Sequence, residues 1–164
     1  GDGGRLLSWE KASRIPWGIL VLFGGGLALA AGFMETGLAE TLGAQFSSLE
    51  TWPSWAITTV IVVTLVVLTE IASNTAAAAT LLPVVAAAAE HWPGEPILYL
   101  VPVTLAASSG FMMPVGTPPN AIVFGWSELR VKDMVRPGWV VDLFAIVVIV
   151  FVCETVGRFV FGAA

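Results

Sequence analysis

The apolar residues of this chain fall into long runs, and the informative positions are where those runs break. Residues 55–68 are almost wholly apolar, and residues 76–89 are apolar except for Thr80. Between them stands Thr69-Glu70-Ile71-Ala72-Ser73-Asn74-Thr75, a polar island. A second island runs from Ser108-Ser109-Gly110 to Gly116-Thr117-Pro118-Pro119-Asn120, inside the next apolar segment. Polar side chains at the depth of a hydrocarbon core are costly unless they face protein, water or a ligand. Two apolar segments with polar breaks are the pattern of a substrate and ion site near the bilayer midplane.

The pattern predicts an all-α integral membrane protein with a single membrane domain over residues 1–164. Residues 6–14 read as a short amphipathic helix, anchored at the interface by Trp9. Pro16 opens a transmembrane helix over residues 16–34, and residues 35–53 form a polar connection. Each arm beside the first island has about 14 residues, or roughly 21 Å of helix, against the ~20 residues of a full span. The arms therefore predict a re-entrant helical hairpin over residues 54–90, with its tip at 73–75. One straight helix would far exceed the membrane thickness, and Pro83 would kink it. Residues 96–126 read as a transmembrane helix broken at 114–119, where three prolines and a glycine stop it. A charged loop follows. Pro137 then starts a last transmembrane helix over residues 137–162.

Composition strengthens the membrane assignment. The 164 residues are 57% hydrophobic and 12% charged, where soluble domains carry about 25% charged residues. The net charge of −5, without a basic stripe, argues against nucleic acid as a partner. Six basic residues lie in two places, Arg5, Lys11 and Arg14, then Arg130, Lys132 and Arg136. The positive-inside rule puts both groups in the cytoplasm and the C-terminus outside. Two full spans in place of the hairpin would give the same parity. The tryptophans fall at the expected boundaries, as an aromatic belt in contact with lipid requires. The compact loops suggest a multi-pass protein of a bacterial inner membrane. The start Gly1-Asp2-Gly3-Gly4 reads as part of a longer protein.

The islands carry the candidate chemistry. Ser73, Asn74 and Thr75 offer hydroxyl and amide oxygens together with amide and hydroxyl donors. A helix ending near Ala72 presents carbonyls, which suit Na⁺, and one beginning near Thr75 presents N–H groups, which suit a carboxylate. The second island repeats the arrangement, with Pro118 and Pro119 placed where a first helical turn tolerates them. Neither island contains Lys, Arg or His. The competing structural reading is that these polar residues hold helices together. Glu70 either relays protons or binds an ion, or it holds the tip through hydrogen bonds; the second role is preferred. Glu154 and Arg158, four apart, are placed to pair. Gly24-Gly25-Gly26 lacks the Gly-Lys-Ser/Thr of a phosphate loop and reads as close helix packing. Cys153 is the lone cysteine and His91 the lone histidine, the latter in a turn. With no nucleophile–base pair and no metal-ligand cluster, the sequence does not read as an enzyme.

Three stretches resemble the divalent anion/sodium symporter family of dicarboxylate, citrate and sulfate carriers, over nearly the whole chain. They are Thr69-Glu70-Ile71-Ala72-Ser73-Asn74-Thr75-Ala76, Pro114-Val115-Gly116-Thr117-Pro118-Pro119-Asn120-Ala121-Ile122-Val123-Phe124, and Trp17-Gly18-Ile19-Leu20-Val21-Leu22-Phe23-Gly24-Gly25-Gly26. The resemblance is to the C-terminal half. It implies one inverted repeat of a dimeric, elevator-type transporter, with a re-entrant hairpin and an unwound transmembrane helix. It implies that Ser73, Asn74, Thr75, Thr117 and Pro118 contact the substrate. It also implies that Thr69, Ala72, Asn74 and Gly116 supply oxygens to a sodium ion. Gly116 stands where small residues are frequent, and its missing methyl is expected to loosen the break. The N-terminal repeat of the same protein is expected upstream, so this chain would hold half a site. The function implied is sodium-coupled secondary transport of a small divalent anion, a C4-dicarboxylate such as succinate. A sodium-independent exchanger on the same fold and a structural half-length membrane subunit remain open alternatives.

Overall fold

The computed structural model describes residues 34–126 and 128–161, with Trp9, Ser13, Trp17, Val21, Gly24, Gly25, Ala28, Ala31 and Gly32 before them. The expected interfacial helix at 6–14 and most of the span at 16–34 lie outside the described residues. Among the described residues nothing stands within 4 Å of a Cβ placed on Gly24 or Gly25.

The connection before the hairpin is more ordered than its polarity suggests. Gly37 takes a φ of 68°, turning the chain into α1, Leu38–Gln45. The Thr41 hydroxyl donates to the Gly37 carbonyl at 2.8 Å, and Glu40 sits in the first turn, at the positive end of the helix dipole. A 3₁₀ turn, Ser47–Thr51, follows. Pro53 is extended and α2, Ser54–Ile71, begins directly after it. This helix buries Ile57, Ile61, Val62, Leu65 and Val66 along one face. It continues beyond the apolar arm through Thr69-Glu70-Ile71, because their polar groups find partners inside the protein: the Thr69 hydroxyl donates to the Val66 carbonyl at 3.0 Å.

Only Ala72 and Ser73, both extended, separate α2 from α3, Asn74–Ala89. The arms are thus 18 and 16 residues long, and Asn74 opens the second. At about 27 Å, α2 approaches the thickness of a hydrocarbon core, so length alone no longer separates a hairpin from a crossing. Past α3, Gly94 with φ 91° makes the turn. Trp92 and Tyr99 meet edge to face at 5.1 Å between centroids, and the Tyr99 hydroxyl donates to the Pro93 carbonyl at 2.5 Å.

α4, Ile97–Ala106, ends well before residue 113, where the sequence pattern placed the end. Ser109 bonds back to the Leu105 carbonyl at 3.1 Å, and Gly110 follows. These residues compete with the helix ladder before Pro114 is reached. The break therefore spans residues 107–117. α5, Pro118–Trp126, resumes with two prolines in its first turn. α6, Val131–Val152, starts six residues before Pro137, which lies inside it. The Asp133 carboxylate accepts the Arg130 backbone N–H at 3.0 Å and starts the helix there. A π turn, Cys153–Gly157, and α7, Arg158–Phe161, extend it.

α2 and α6 run antiparallel, fastened at both ends. At one end Glu154 accepts from Ser54 at 3.0 Å, Thr58 at 2.8 Å and Arg158 at 2.9 Å. At the other, Asp142 of α6 accepts the Phe111 N–H at 3.2 Å and Glu70 of α2 the adjacent Met112 N–H at 2.9 Å, so the break joins the two helices. The core between them joins α2, α3, α4 and α6 through residues such as Leu65, Ala88, Tyr99, Val103, Ile149 and Cys153. Ser54–Ile71 and Val131–Phe161 are long and apolar enough to cross a membrane. The outer face of α6, with Leu143, Phe144, Val147 and Phe151, is exposed. The described residues are all helix, turn and loop.

Candidate ion and substrate site

The two polar islands meet. Gly110 in the break stands against the end of α2, where a Cβ on it would lie 3.3 Å from the Thr69 carbonyl oxygen and 3.4 Å from Thr69 Oγ1. A Cβ on Gly116 would lie 3.1 Å from the Gly110 carbonyl oxygen, 3.3 Å from the Met113 carbonyl oxygen and 3.5 Å from Glu70 Oε2. Position 116 is confined on three sides, so its glycine is fitted to the break rather than loosening it.

Glu70 is the hinge-pin of this contact. It is 4% exposed. Its Oε1 accepts the Met112 N–H at 2.9 Å and its Oε2 the Met113 N–H at 2.6 Å. A carboxylate accepting backbone amides makes hydrogen bonds of about 1.5–3 kcal/mol each. Asn120, in the first turn of α5, closes the break from the other side. Its amide donates to the Gly110 carbonyl at 3.0 Å and the Met113 carbonyl at 3.1 Å. Two broken ends are thereby held by side chains from outside the break.

At the hairpin tip Ser73 is exposed, and Ala72, Asn74 and Thr75 are half-buried. Asn74 Oδ1 is buried and has no hydrogen-bond partner among the described residues. An acceptor left in that state costs about 1–3 kcal/mol, which a cation or a donor on a ligand offsets. With Thr69, Ala72 and Gly116, the oxygens on offer are hydroxyl, carbonyl and carboxamide, the set a hard cation takes. No group of three His, Cys, Asp or Glu that suits a transition metal occurs among the described residues. Thr69 and Gly116 are brought together through Gly110. No side-chain hydrogen bond from Ser73, Asn74 or Thr75 reaches the second island among the described residues. Thr117 precedes α5 and accepts the Ala121 N–H at 3.1 Å through its carbonyl, and Pro118 opens that helix. The recess between the hairpin arms, about 100 Å³, lies elsewhere; it is lined by residues such as Ile57, Leu65, Val85 and Trp92 and offers nothing to an anion.

Two residues at the site escape the sequence reading. Asp142 accepts the Phe111 N–H at 3.2 Å. Gly138, one turn earlier, packs so closely that a Cβ there would lie 2.6 Å from Met112 Cα and from the Phe111 carbonyl oxygen. Asp142 carried a signal: it is the one charged residue in the apolar run 137–153, and ionisable residues at depth are site candidates. Gly138 carried none.

The chain is helical, with two helices among the described residues long and apolar enough to cross a membrane, and its two polar breaks meet in a contact without Lys, Arg or His. Residues 4–162 match the sodium:sulfate symporter transmembrane region, and the chain belongs to that family. It is 48% identical over 148 residues to the sodium-dependent dicarboxylate transporter SdcS of Staphylococcus saprophyticus, covering 90% of this chain and 28% of the relative. It is 43% identical over 158 residues to SdcS of Staphylococcus aureus strain USA300, covering 96% of this chain and 30% of that protein. The chain thus spans less than a third of the length of these relatives, matching their C-terminal part.

Proposed function

We propose that this chain supplies one half of the site of a sodium-coupled transporter for a small dicarboxylate, with succinate as the first candidate. The observation that carries the reading is the buried Asn74 Oδ1, without a partner among the described residues, at the tip of a hairpin whose end is fastened to a second broken helix. Thr69, Ala72, Asn74 and Gly116 hold sodium through their oxygens. Ser73, Asn74 and Thr75 at the start of α3, with Thr117 and Pro118 at the start of α5, receive the carboxylate. The N-terminal ends of α3 and α5 supply positive dipole ends in place of a basic side chain. Each sodium ion moving down 100 mV contributes about 2.3 kcal/mol, enough for two or three to concentrate a divalent anion.

The hairpin reads as re-entrant. Supporting this, Glu70 near the end of α2 and Asp142 of α6 hold adjacent amides of the break, while α6 continues from Asp142 to Val131, about 16 Å further. The N-terminal repeat completes the site, the protein works as a homodimer by an elevator-like movement, and it lies in a bacterial inner membrane. The test is labelled succinate uptake into liposomes by the full-length protein, with and without a sodium gradient, beside Asn74→Ala. Sodium-dependent uptake that collapses in the variant is expected. Uptake indifferent to sodium but lost in the variant moves the mechanism to exchange. Uptake that survives Asn74→Ala at normal rate and affinity removes the site from the tip.

A further inference from the structure

The outer face of α6 changes character along its length. Lys132, Arg136, the pair Trp139 and Val140, Leu143 and Val147 are spaced three or four apart, so they share one stripe of the helix. All six are exposed. The buried residues of α6, Gly138, Asp142 and Ile149, lie on the opposite side. The stripe therefore begins with two cations, passes an aromatic ring and ends in aliphatic side chains. From Arg136 to Val147 it is about 16 Å long. That is close to one leaflet, half of a hydrocarbon core about 30 Å thick.

At the basic end an open recess of about 490 Å³ is lined by Arg130, Lys132, Asp133, Val135 and Arg136. Asp133, the acid of this set, is taken up by Arg130. Its carboxylate accepts the Arg130 backbone N–H at 3.0 Å and Nε–H at 3.5 Å. Lys132 and Arg136 make no ion pair among the described residues. The recess thus carries positive charge without a counter-charge, at the head of an apolar stripe. A second copy of this chain would not supply one. Two copies inserted the same way and paired through this face would set Lys132 and Arg136 against their own images, which like-charge repulsion opposes.

We propose that this stripe seats one phospholipid with an anionic headgroup, drawn from the leaflet on the Arg130 side. The phosphodiester sits at the recess. There the Arg136 guanidinium offers a planar fork of donors to its oxygens, and Lys132 adds a point charge. Trp139 lies one turn deeper, at the level where indole rings meet the lipid interface. An acyl chain runs along Val140, Leu143 and Val147. Such a lipid brings the missing counter-charge and the apolar cover in a single molecule, at the spacing that the stripe presents. The seam lies on the side of α6 turned away from the break. It depends on the chain lying in a membrane and not on what is transported, and its test has readouts that need no substrate.

The experiment follows the melting temperature of the full-length protein in mild detergent while phosphatidylglycerol, or phosphatidylcholine with the same acyl chains, is titrated in. Phosphatidylglycerol is expected to stabilise the wild type at lower concentration than phosphatidylcholine. A cation facing an anionic headgroup is worth about fivefold in affinity. The half-maximal phosphatidylglycerol concentration should therefore rise about fivefold in Lys132→Gln and in Arg136→Gln, and about 30-fold in the double variant. The phosphatidylcholine titration should stay unchanged. Exchanging the pair, Lys132→Arg with Arg136→Lys, keeps the charge and should keep the preference. The single variants each retain two of the three basic residues at this end, so the test stands even if the double variant inserts wrongly. An equal response of the wild type to both lipids overturns the proposal. So does an undiminished phosphatidylglycerol response in the glutamine variants, which moves the lipid elsewhere. Stabilisation by glycerol phosphate or inorganic phosphate alone also overturns it, because a free anion would then suffice. A changed oligomeric state with an unchanged lipid response would give the face to a protein contact instead.

Discussion

Individual glycines set how closely the backbone segments approach. A methyl group at Gly138 has no room, because the 2.6 Å contacts are with main-chain atoms that cannot rotate away. Overpacking of this kind costs about 1–3 kcal/mol. Gly138→Ala is therefore expected to lower the melting temperature of the full-length protein. Gly116→Ala is expected to lower it less, since its contacts begin at 3.1 Å and the neighbours need give only slightly. A thermal-shift comparison checks the order, and equal stability of the two variants would refute it. Neither constraint is legible in the sequence. Gly138 follows a proline at what looks like a helix start, and only the fold reveals that the break passes there.

At the scale of elements, α2 and α6 are tied at both ends by different chemistry. The Glu154 end is structural. Its carboxylate serves Ser54, Thr58 and Arg158, and Ser54 and Thr58 are buried. Glu154→Ala removes the acceptor of two buried hydroxyls, leaving Ser54 only its contact with Arg158, and is expected to cost about 1–3 kcal/mol. Arg158 is partly exposed, so its ion pair with Glu154 adds little to that loss. The expected signature is a lowered melting temperature with an unchanged KM for succinate; a raised KM would place this end in the transport pathway. Both islands, the hairpin arms and the pairing of Glu154 with Arg158 were legible from residue order. The limits of α4 and α6 were not. Prolines dominated the reading at 114 and 137, whereas Ser109 with Gly110, and Asp133 with Arg130, decide the boundaries through local hydrogen bonds.

For the whole molecule, charge gives the orientation. The loop before α6 carries Arg130, and Lys132 and Arg136 follow in its first turns, so this side is expected to face the cytoplasm. The Gly94 turn is expected outside. With Cys153 replaced by alanine, a cysteine at Glu95 should react with an impermeant maleimide added to intact cells. One at Glu128 should react only after the membrane is opened. The reverse pattern would invert the topology. The sequence made the two meeting islands foreseeable, because polar groups at depth must find partners. It could not show which partner each finds, because Met112 lies 42 positions from Glu70 and nothing local links them.

The fit at Gly138 also limits how the molecule can move. A slide of α6 by one turn in either direction would bring Val135 or Met134, or Val141 or Asp142, to the place where even a methyl group collides with Phe111 and Met112. The helix has one seating against the break and no second notch. Piston-like motion of α6 is barred. Any displacement of the break must take α6 and the hairpin tip with it, as one rigid block.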